Sequence, residues 1–467
     1  MRTFFKKSES SEIKVQIPFF LICVSFSISI IFLLFSVTRH KLFQSSYDLT
    51  LFDQWLWLIS RDFDPISSIT NWHVLSDHAA WSLYLFAPLY KIYASINWLF
   101  LSQAICLSFT AIPIWILSIN SGINYRNTWI ICLIWWMQPV VFNANINDFH
   151  PEVWSMPALV GSYLFSRHNK FLLWLLCLIF IIGCRDGMVL IVFGIFIENM
   201  IRRKWKYALA ALTISLGWLF FIKTILFPYL ASLNNYDVLI TPSSGVISKY
   251  LDSFFDPLQL FSNVNYISGF EYLILISIAF LPFWKINALA TLTGGFPLVF
   301  LNFIAENQSM RMLIHQYNLP LAAIGVVAVI DCIAINSSFK ISWKYITWIS
   351  ICWFSLAKPY FYTGPYLSRL PLIKSINQAL LLIPSDAKVL TTSYIAPHLS
   401  HRKYIDYPRE VNTKQYLTEY NLLLLNPKDP GYLSTSNIQQ SILDQANQNK
   451  WICNSYPNNL ELCKKPN

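Results

Sequence analysis

Five short stretches concentrate the side chains able to move protons or hold charge. They are Tyr47-Asp48 through Asp53-Gln54-Trp55, Asp77-His78, Asn147-Asp148-Phe149-His150-Pro151-Glu152, Arg185-Asp186, and Arg311 with His315, Gln316 and Tyr317. A carboxylate can take the proton of a hydroxyl nucleophile. A guanidinium or imidazolium can hold a phosphate, or the negative charge that builds on a leaving group. Acids on one side and donors on the other suit transfer to or from a charged substrate. Simpler roles compete. Asp48 and Asp77 could cap helices, Arg185-Asp186 could be a neutralised pair in a tight turn, and Arg311 with His315 could line an interfacial rim. Asp148, His150 and Glu152 put three ionisable groups within five residues, more than capping needs. No P-loop, GxGxxG, GxSxG or HExxH motif occurs, so nucleotide-driven and ordinary hydrolase chemistry have no support.

The elements that must position these groups are apolar. Hydrophobic residues are 55% of 467 and charged residues 12%, against about a quarter charged in a soluble domain. That balance excludes disorder and most soluble classes. The net charge of +10 lies in small Lys/Arg clusters between apolar runs, without a recognition motif, which argues against a nucleic-acid partner. The expectation is a mainly α, polytopic transmembrane helix bundle of about eleven spans, with membrane lipid as its surroundings. The spans are read at 17–38, 98–119, 128–143, 152–166, 171–184, 187–201, 206–226, 270–284, 286–304, 318–335 and 343–357. Residues 79–95, with Pro88, Lys91 and several aromatics, read as an interfacial helix.

Arg126, Arg167, Lys170, the 202–206 cluster, Lys285, Lys340 and Lys344 then fall on one side, and Arg185 and Arg311 on the other. The positive-inside rule puts the N-terminus in the cytoplasm of a plasma (inner) membrane protein. Arg2, Lys6, Lys7 and Lys14 agree; Arg39 and Lys41 oppose. Long outer loops are expected at 39–97 and 227–269, so that 1–357 form the transmembrane domain. On this topology the acids gather at the outer mouths of the spans, where a charged group is a functional hypothesis by default. Asp48 and Asp53, on a helix lying on the membrane, sit about 140° apart and ~7–8 Å along it.

Residues 358–467 read as a small extracytoplasmic α/β domain. Strands are expected at 388–393, 403–406 and 420–426, a short helix at 394–402, an amphipathic helix at 437–449 and a hairpin at 451–463. Cys453 and Cys463 lie equidistant from the Pro457-Asn458-Asn459 turn. An oxidising compartment would permit a bridge between them; two unpaired thiols are the alternative.

Several segments, in order, resemble a family of membrane proteins catalogued as domain of unknown function 2079: YDLTLFDQWLW (47–57), SDHAAWSLYLFAPLY (76–90), NDFHPEVWSMPAL (147–159), Arg185-Asp186, HQYNLPLAA (315–323) and IPSDAKVLTTSYIAPHLSHR (383–402). More distantly the chain is similar to the glycosyltransferase C superfamily. That resemblance implies an inverting cell-envelope transferase using a polyprenyl-phosphate sugar at the outer leaflet. Asp48 or Asp53 would match its first-loop catalytic acid and the Asp148–Glu152 cluster its second. Arg185-Asp186 departs from the Lys-Glu-Asp-like step of that superfamily, although Asp186 still matches. Asp48, Asp53 and Asp148 are therefore the candidate catalytic acids. His150, Glu152, Arg185, Asp186, Arg311, His315, Tyr317, Asp77 and His78 are candidates for holding substrate or phosphate. A divalent cation could bridge acid and phosphate, but no ligand spacing demands one. A transporter or flippase, and a non-catalytic assembly or sensing protein, are the competing classes.

Overall fold

The computed structural model describes residues 12–234, 264–335, 340–409 and 413–466. Arg2, Lys6, Lys7 and most of the 227–269 loop lie outside the described residues. The chain is mainly helical, with one small sheet near its C-terminus. It opens with α1 (Phe19–Lys41), α2 (Tyr47–Ser60), α3 (Val74–His78) and α4 (Ser82–Ile92). It continues with α5 (Asn97–Phe109), α6 (Ala111–Asn120), α7 (Tyr125–Trp136), α8 (Pro139–Ile146), α9 (Met156–Arg167), α10 (Phe171–Cys184), α11 (Val189–Ile201) and α12 (Trp205–Phe221). Then come α13 (Phe227–Asn234), α14 (Tyr266–Ser277), α15 (Leu289–Leu292), α16 (Phe296–Ile304), α17 (Leu319–Ala334) and α18 (Trp343–Leu356).

Among the described residues, five helical stretches are long and apolar enough to cross a membrane: Phe19–Lys41, Asn97–Asn120, Trp205–Leu233, Ile286–Ile304 and Gln316–Ala334. The pair α7 and α8, bent by 43°, makes a sixth if read as one broken span. Pro139 opens α8, where its missing N–H is tolerated, and so marks the break. The segments read at 152–166, 171–184, 187–201, 270–284 and 343–357 form helices of 12–14 residues. Such helices reach roughly 18–21 Å, short of the ~30 Å hydrocarbon core. The central helix is Gln316–Ala334, with 83% of its apolar window inside the protein against 17% for Trp205–Leu233. The core around it holds Trp115, Trp135 and Trp174. The Trp135 and Trp136 indole N–H groups donate to the carbonyls of Leu107 and Ser108, pinning α7 to α5.

The C-terminal stretch carries α19 (Leu370–Leu380), β1 (Val389–Thr391), β2 (Ile405–Asp406), α20 (Thr413–Glu419), β3 (Leu422–Leu425), α21 (Ser436–Gln448), β4 (Ile452–Tyr456) and β5 (Leu460–Lys464). Strand order is β2-β1-β3-β5-β4. β1 pairs in parallel with β2 and β3, and β5 runs antiparallel to β3 and β4. The four-leucine run of β3 is buried throughout, as a central strand covered on both faces should be. The stretch expected as a helix over 394–402 contains only a 3-10 turn, Ala396–His398.

Cys453 faces Cys463 across β4 and β5, and the two are joined in a disulfide that closes a ten-residue separation. Loop-closure entropy for so short a loop is worth about 2–3 kcal/mol. Cys453→Ser is therefore expected to lower the melting temperature, and reductant to lower that of the parent but not of the variant, as thermal unfolding with and without reductant would read.

A second hydrophobic cluster joins α2 and α4 to the C-terminal stretch, with Trp55, Tyr90 and Phe149 packed among residues such as Leu372, Val389 and Tyr394. Gly183, at the end of α10, permits one close approach this corner needs. A Cβ there would lie 2.0 Å from the Trp81 indole.

Candidate functional site

Three helices point their N-termini into one place. Each is preceded by a 3-10 turn: Pro151–Ser155 before α9, Asp186–Met188 before α11, and Gln316–Asn318 before α17. Pro151 and Pro320 sit in first turns, where an amide N–H is not required. The residues at these turns, with α2 and α3, bring together nine of the twelve candidates: Asp48, Asp77, His78, His150, Glu152, Arg185, Asp186, His315 and Tyr317. Converging helix N-termini add positive potential to the place they face.

His150 is the hinge of the cluster. Its Nδ1 lies 2.9 Å from the Asp148 carbonyl oxygen, which can only accept, so Nδ1 carries a proton. Its Nε2 faces Asp48 Oδ2 at 3.3 Å. Burial works to lower the His150 pKa, but the hydrogen bond and negative charge of Asp48 overcome it and hold the value above 6.5. Desolvation likewise works to raise Asp48, and the hydrogen bond and charge of His150, with His78 and Arg185 behind, hold it below 3.8. The two form an imidazolium–carboxylate pair. Its stabilisation is complete below pH 6.5 on the histidine side and fades as pH rises through the raised His150 value. On the acid side it fades as pH falls through the lowered Asp48 value. In Asp48→Asn, the His150 titration followed by NMR is expected to fall back toward or below 6.5.

Arg185 is the central cation. It pairs with Glu152, lies with its guanidinium 5.1 Å from the Tyr317 ring centroid, and is within electrostatic reach of Asp48, Asp77, His78 and His150. It does not pair with Asp186. That acid faces His78 Nδ1 at 3.5 Å, while His78 Nε2 faces Asp77 at 3.4 Å. His315 approaches Asn147 Nδ2 at 3.4 Å, and burial together with His150 holds its pKa down. The site thus holds two imidazoles, His78 and His150, whose pKa values their acid partners raise, beside His315, whose value is held down. Of its four acids, three have side chains no more than 10% exposed, whereas Asp48 is 47% exposed. Buried Glu152 Oε2 has no hydrogen-bond partner among the described residues.

Three candidates stand outside this arrangement. Asp148 receives Arg39 Nη1 at 2.6 Å and the Ser46 N–H at 3.1 Å. It neutralises the last turn of α1 and anchors the start of α2, and is 5% exposed. Asp53 is 1% exposed. It accepts from the Tyr90 hydroxyl at 2.6 Å and from Ser400, and faces His401 Nε2 at 3.0 Å. Arg311 donates to Ser268 Oγ at 2.9 Å and to the carbonyls of Asn302, Phe303 and Ala305. Asp53, Asp148 and Arg311, expected as two catalytic acids and a phosphate ligand, are thus each engaged by partners of the fold and lie apart from the other nine.

Arg39, Tyr90 and His401 are the partners sequence reasoning missed. Only Arg39 left a trace, as a cation on the wrong side of the charge asymmetry.

The cluster's histidines and acids pair across 3.3–3.5 Å rather than converging on a point. Among the described residues, no group of three or more His, Cys, Asp or Glu is arranged to hold a metal ion. The divalent cation considered from the resemblance has no donor set among them.

A family model described as a predicted membrane protein (DUF2079) matches residues 39–462. No curated protein matches the chain.

Proposed function

The chain belongs to the DUF2079 family of predicted membrane proteins, and from that premise we propose that it is a membrane glycosyltransferase working at the outer leaflet. The observation that carries the reading is Asp48, the half-exposed acid of the site, beside a set of cations that share its surroundings. In this reading Asp48 takes the proton of an acceptor hydroxyl. The hydroxyl oxygen bonds to the anomeric carbon of the donor sugar, and the anomeric C–O bond to a polyprenyl phosphate breaks. The lipid phosphate leaves with the electron pair, and Arg185 and His78 stabilise its charge. One displacement inverts the anomeric centre. An oxocarbenium-like transition state asks little deprotonation of the nucleophile early on, so a carboxylate of low basicity suffices.

The topology belongs to the same proposal. The short helices, where the bilayer thins locally to meet them, complete a bundle of about eleven crossings in the plasma membrane. The N-terminus is cytoplasmic, and 358–467 form an extracytoplasmic domain set against the outer loop 39–97.

The test is the lipid fraction of a deletion strain. A polyprenyl-phosphate sugar should accumulate, and one surface glycan should vanish; unchanged lipids and glycans would sink the proposal.

One observation favours a second reading, transport. The helices that open at the site close on a second buried charge cluster. Asp331 of α17 receives Arg167 of α9 at 2.8 Å and Arg202, just past α11, at 3.0 Å; Arg202 also meets Glu198 at 2.7 Å and Thr291 at 2.8 Å. The two clusters lie roughly 20 Å apart along these helices, as two gates of a carrier would. Uptake of a labelled lipid-linked or small charged substrate into proteoliposomes, made leaky by Asp331→Asn, would favour it.

A further inference from the structure

A cleft of about 660 Å³ lies away from the charged cluster, between residues 63–71 on one side and 403–409 with 415–420 on the other. Its volume falls within the ~300–1,000 Å³ range of small-ligand sites. We propose that it binds a neutral carbohydrate chain, and that this chain is the acceptor. The acceptor role rests on the glycosyl-transfer reading; the binding does not.

Three features select that ligand. The first is aromatic surface left in water. Phe63 is 37% and Tyr404 49% exposed, and both line the cleft. Each ring is steadied by a cation, with Lys403 Nζ 3.6 Å from the Phe63 centroid and Lys388 Nζ 4.4 Å from that of Tyr404. Held rings present apolar platforms of the kind that the C–H faces of pyranose rings cover. The second is charge. The carboxylates of Asp64, Asp406 and Glu419 are nearly balanced by Lys403 and Arg409, so the cleft offers planar acceptors and donors without a field that would select a polyanion. Arg409 donates to Asp406 at 2.7 Å and to the Ile69 carbonyl at 2.6 Å, which fixes both groups before a ligand arrives.

The third feature disfavours a peptide. The sheet edge facing the cleft is β2, only two residues long. Its Ile405 N–H donates to Ser68 Oγ at 2.9 Å, and the Ser68 hydroxyl donates to the Ile405 carbonyl at 2.8 Å. An extended peptide adding to a sheet needs those main-chain groups unengaged.

The placement suits an acceptor. Leu58 lines the cleft and Asp48 faces the charged cluster. Ten residues of α2 separate them, ~15 Å of helix.

The experiment is saturation-transfer NMR on the full chain in a sugar-free detergent. The probes are maltotriose, chitotriose and mannotriose, with sulfated maltotriose as an anionic control. Expected is transfer to at least one neutral trisaccharide, reduced at least fivefold in Tyr404→Ala and in Asp64→Ala and kept in Asp48→Asn. No transfer to any neutral probe, equal transfer in the variants, or a preference for the sulfated sugar overturns the proposal. Binding that persists while the deletion strain shows no glycan or lipid change retains the cleft and removes the transfer reading. A glycan change without binding does the reverse.

Discussion

Under the proposed reaction, Asp48→Asn is expected to lower glycosyl transfer about 10²–10⁴-fold, the usual worth of one positioned proton acceptor, while the protein folds as before. The two halves of that result have separate causes. An amide is nearly the size of a carboxylate but cannot take the acceptor proton. Asp48 is half-exposed although His150 is buried, and an Asn amide can donate to the Nε2 of the neutral imidazole, so the loss should stay at about 1 kcal/mol. Melting temperature and expression should therefore match the parent while the lipid-linked sugar accumulates. Wild-type transfer in a well-expressed Asp48→Asn protein would remove Asp48 from the mechanism. His150→Gln should fall between the two, since it keeps the carboxylate and removes the cation that holds it.

Asp53→Ala is expected to do the opposite, with loss of about 3–5 kcal/mol of stability. Its carboxylate is enclosed by Tyr90, Ser400 and His401. Truncation leaves the Tyr90 hydroxyl without its acceptor, at roughly 1–3 kcal/mol, turns the Ser400 hydroxyl to its other acceptor, the Pro397 carbonyl at 3.2 Å, and leaves an imidazole without its counter-charge. The effect depends on pH. Burial works to lower the His401 pKa, but the charge and hydrogen bond of Asp53 raise it above 6.5. That contribution is complete below 6.5 and fades as pH rises through the raised value; with His401 34% exposed, it is the smaller part. Thermal unfolding in detergent at pH 6 and pH 9 would read both. A variant as stable as the parent at both values would show that the joint bears no weight.

Much of this was legible before any coordinates. Apolar runs of sufficient length mark the five long helices, whereas the single span read at 128–143 is broken between α7 and α8, where Pro139 opens α8. Alternation and the buried leucine run marked the strands of the C-terminal stretch. The clusters at 48, 77–78, 150–152, 185–186 and 315–317 do meet. What was not legible was partnership. The ~140° between Asp48 and Asp53 showed that they face different surroundings, but not which of them faces the site. Arg185 and Asp186 are neighbours in the chain and pair with other residues, because the backbone between them turns from the end of α10 into a 3-10 turn. Asp148 looked like part of a triad with His150 and Glu152 until Arg39, 109 residues earlier, claimed it. Arg39 breaks the expected charge asymmetry, and that violation is the available clue to its buried partner.

The joint at Asp53 also fixes an order of events during synthesis. Its partners Ser400 and His401 follow it by 347 and 348 residues. The Tyr90 hydroxyl is available almost at once, but the other half of the enclosure emerges only when the chain is nearly finished. Until then Asp53 must stay hydrated, and α2 cannot settle into its final seat. Docking of the last strands is thus the step that seals the outer wall of the site. A chain released before residue 400 has made nearly every helix and still carries an unburied carboxylate where the finished protein has a closed one, a difference that a membrane quality-control protease could read.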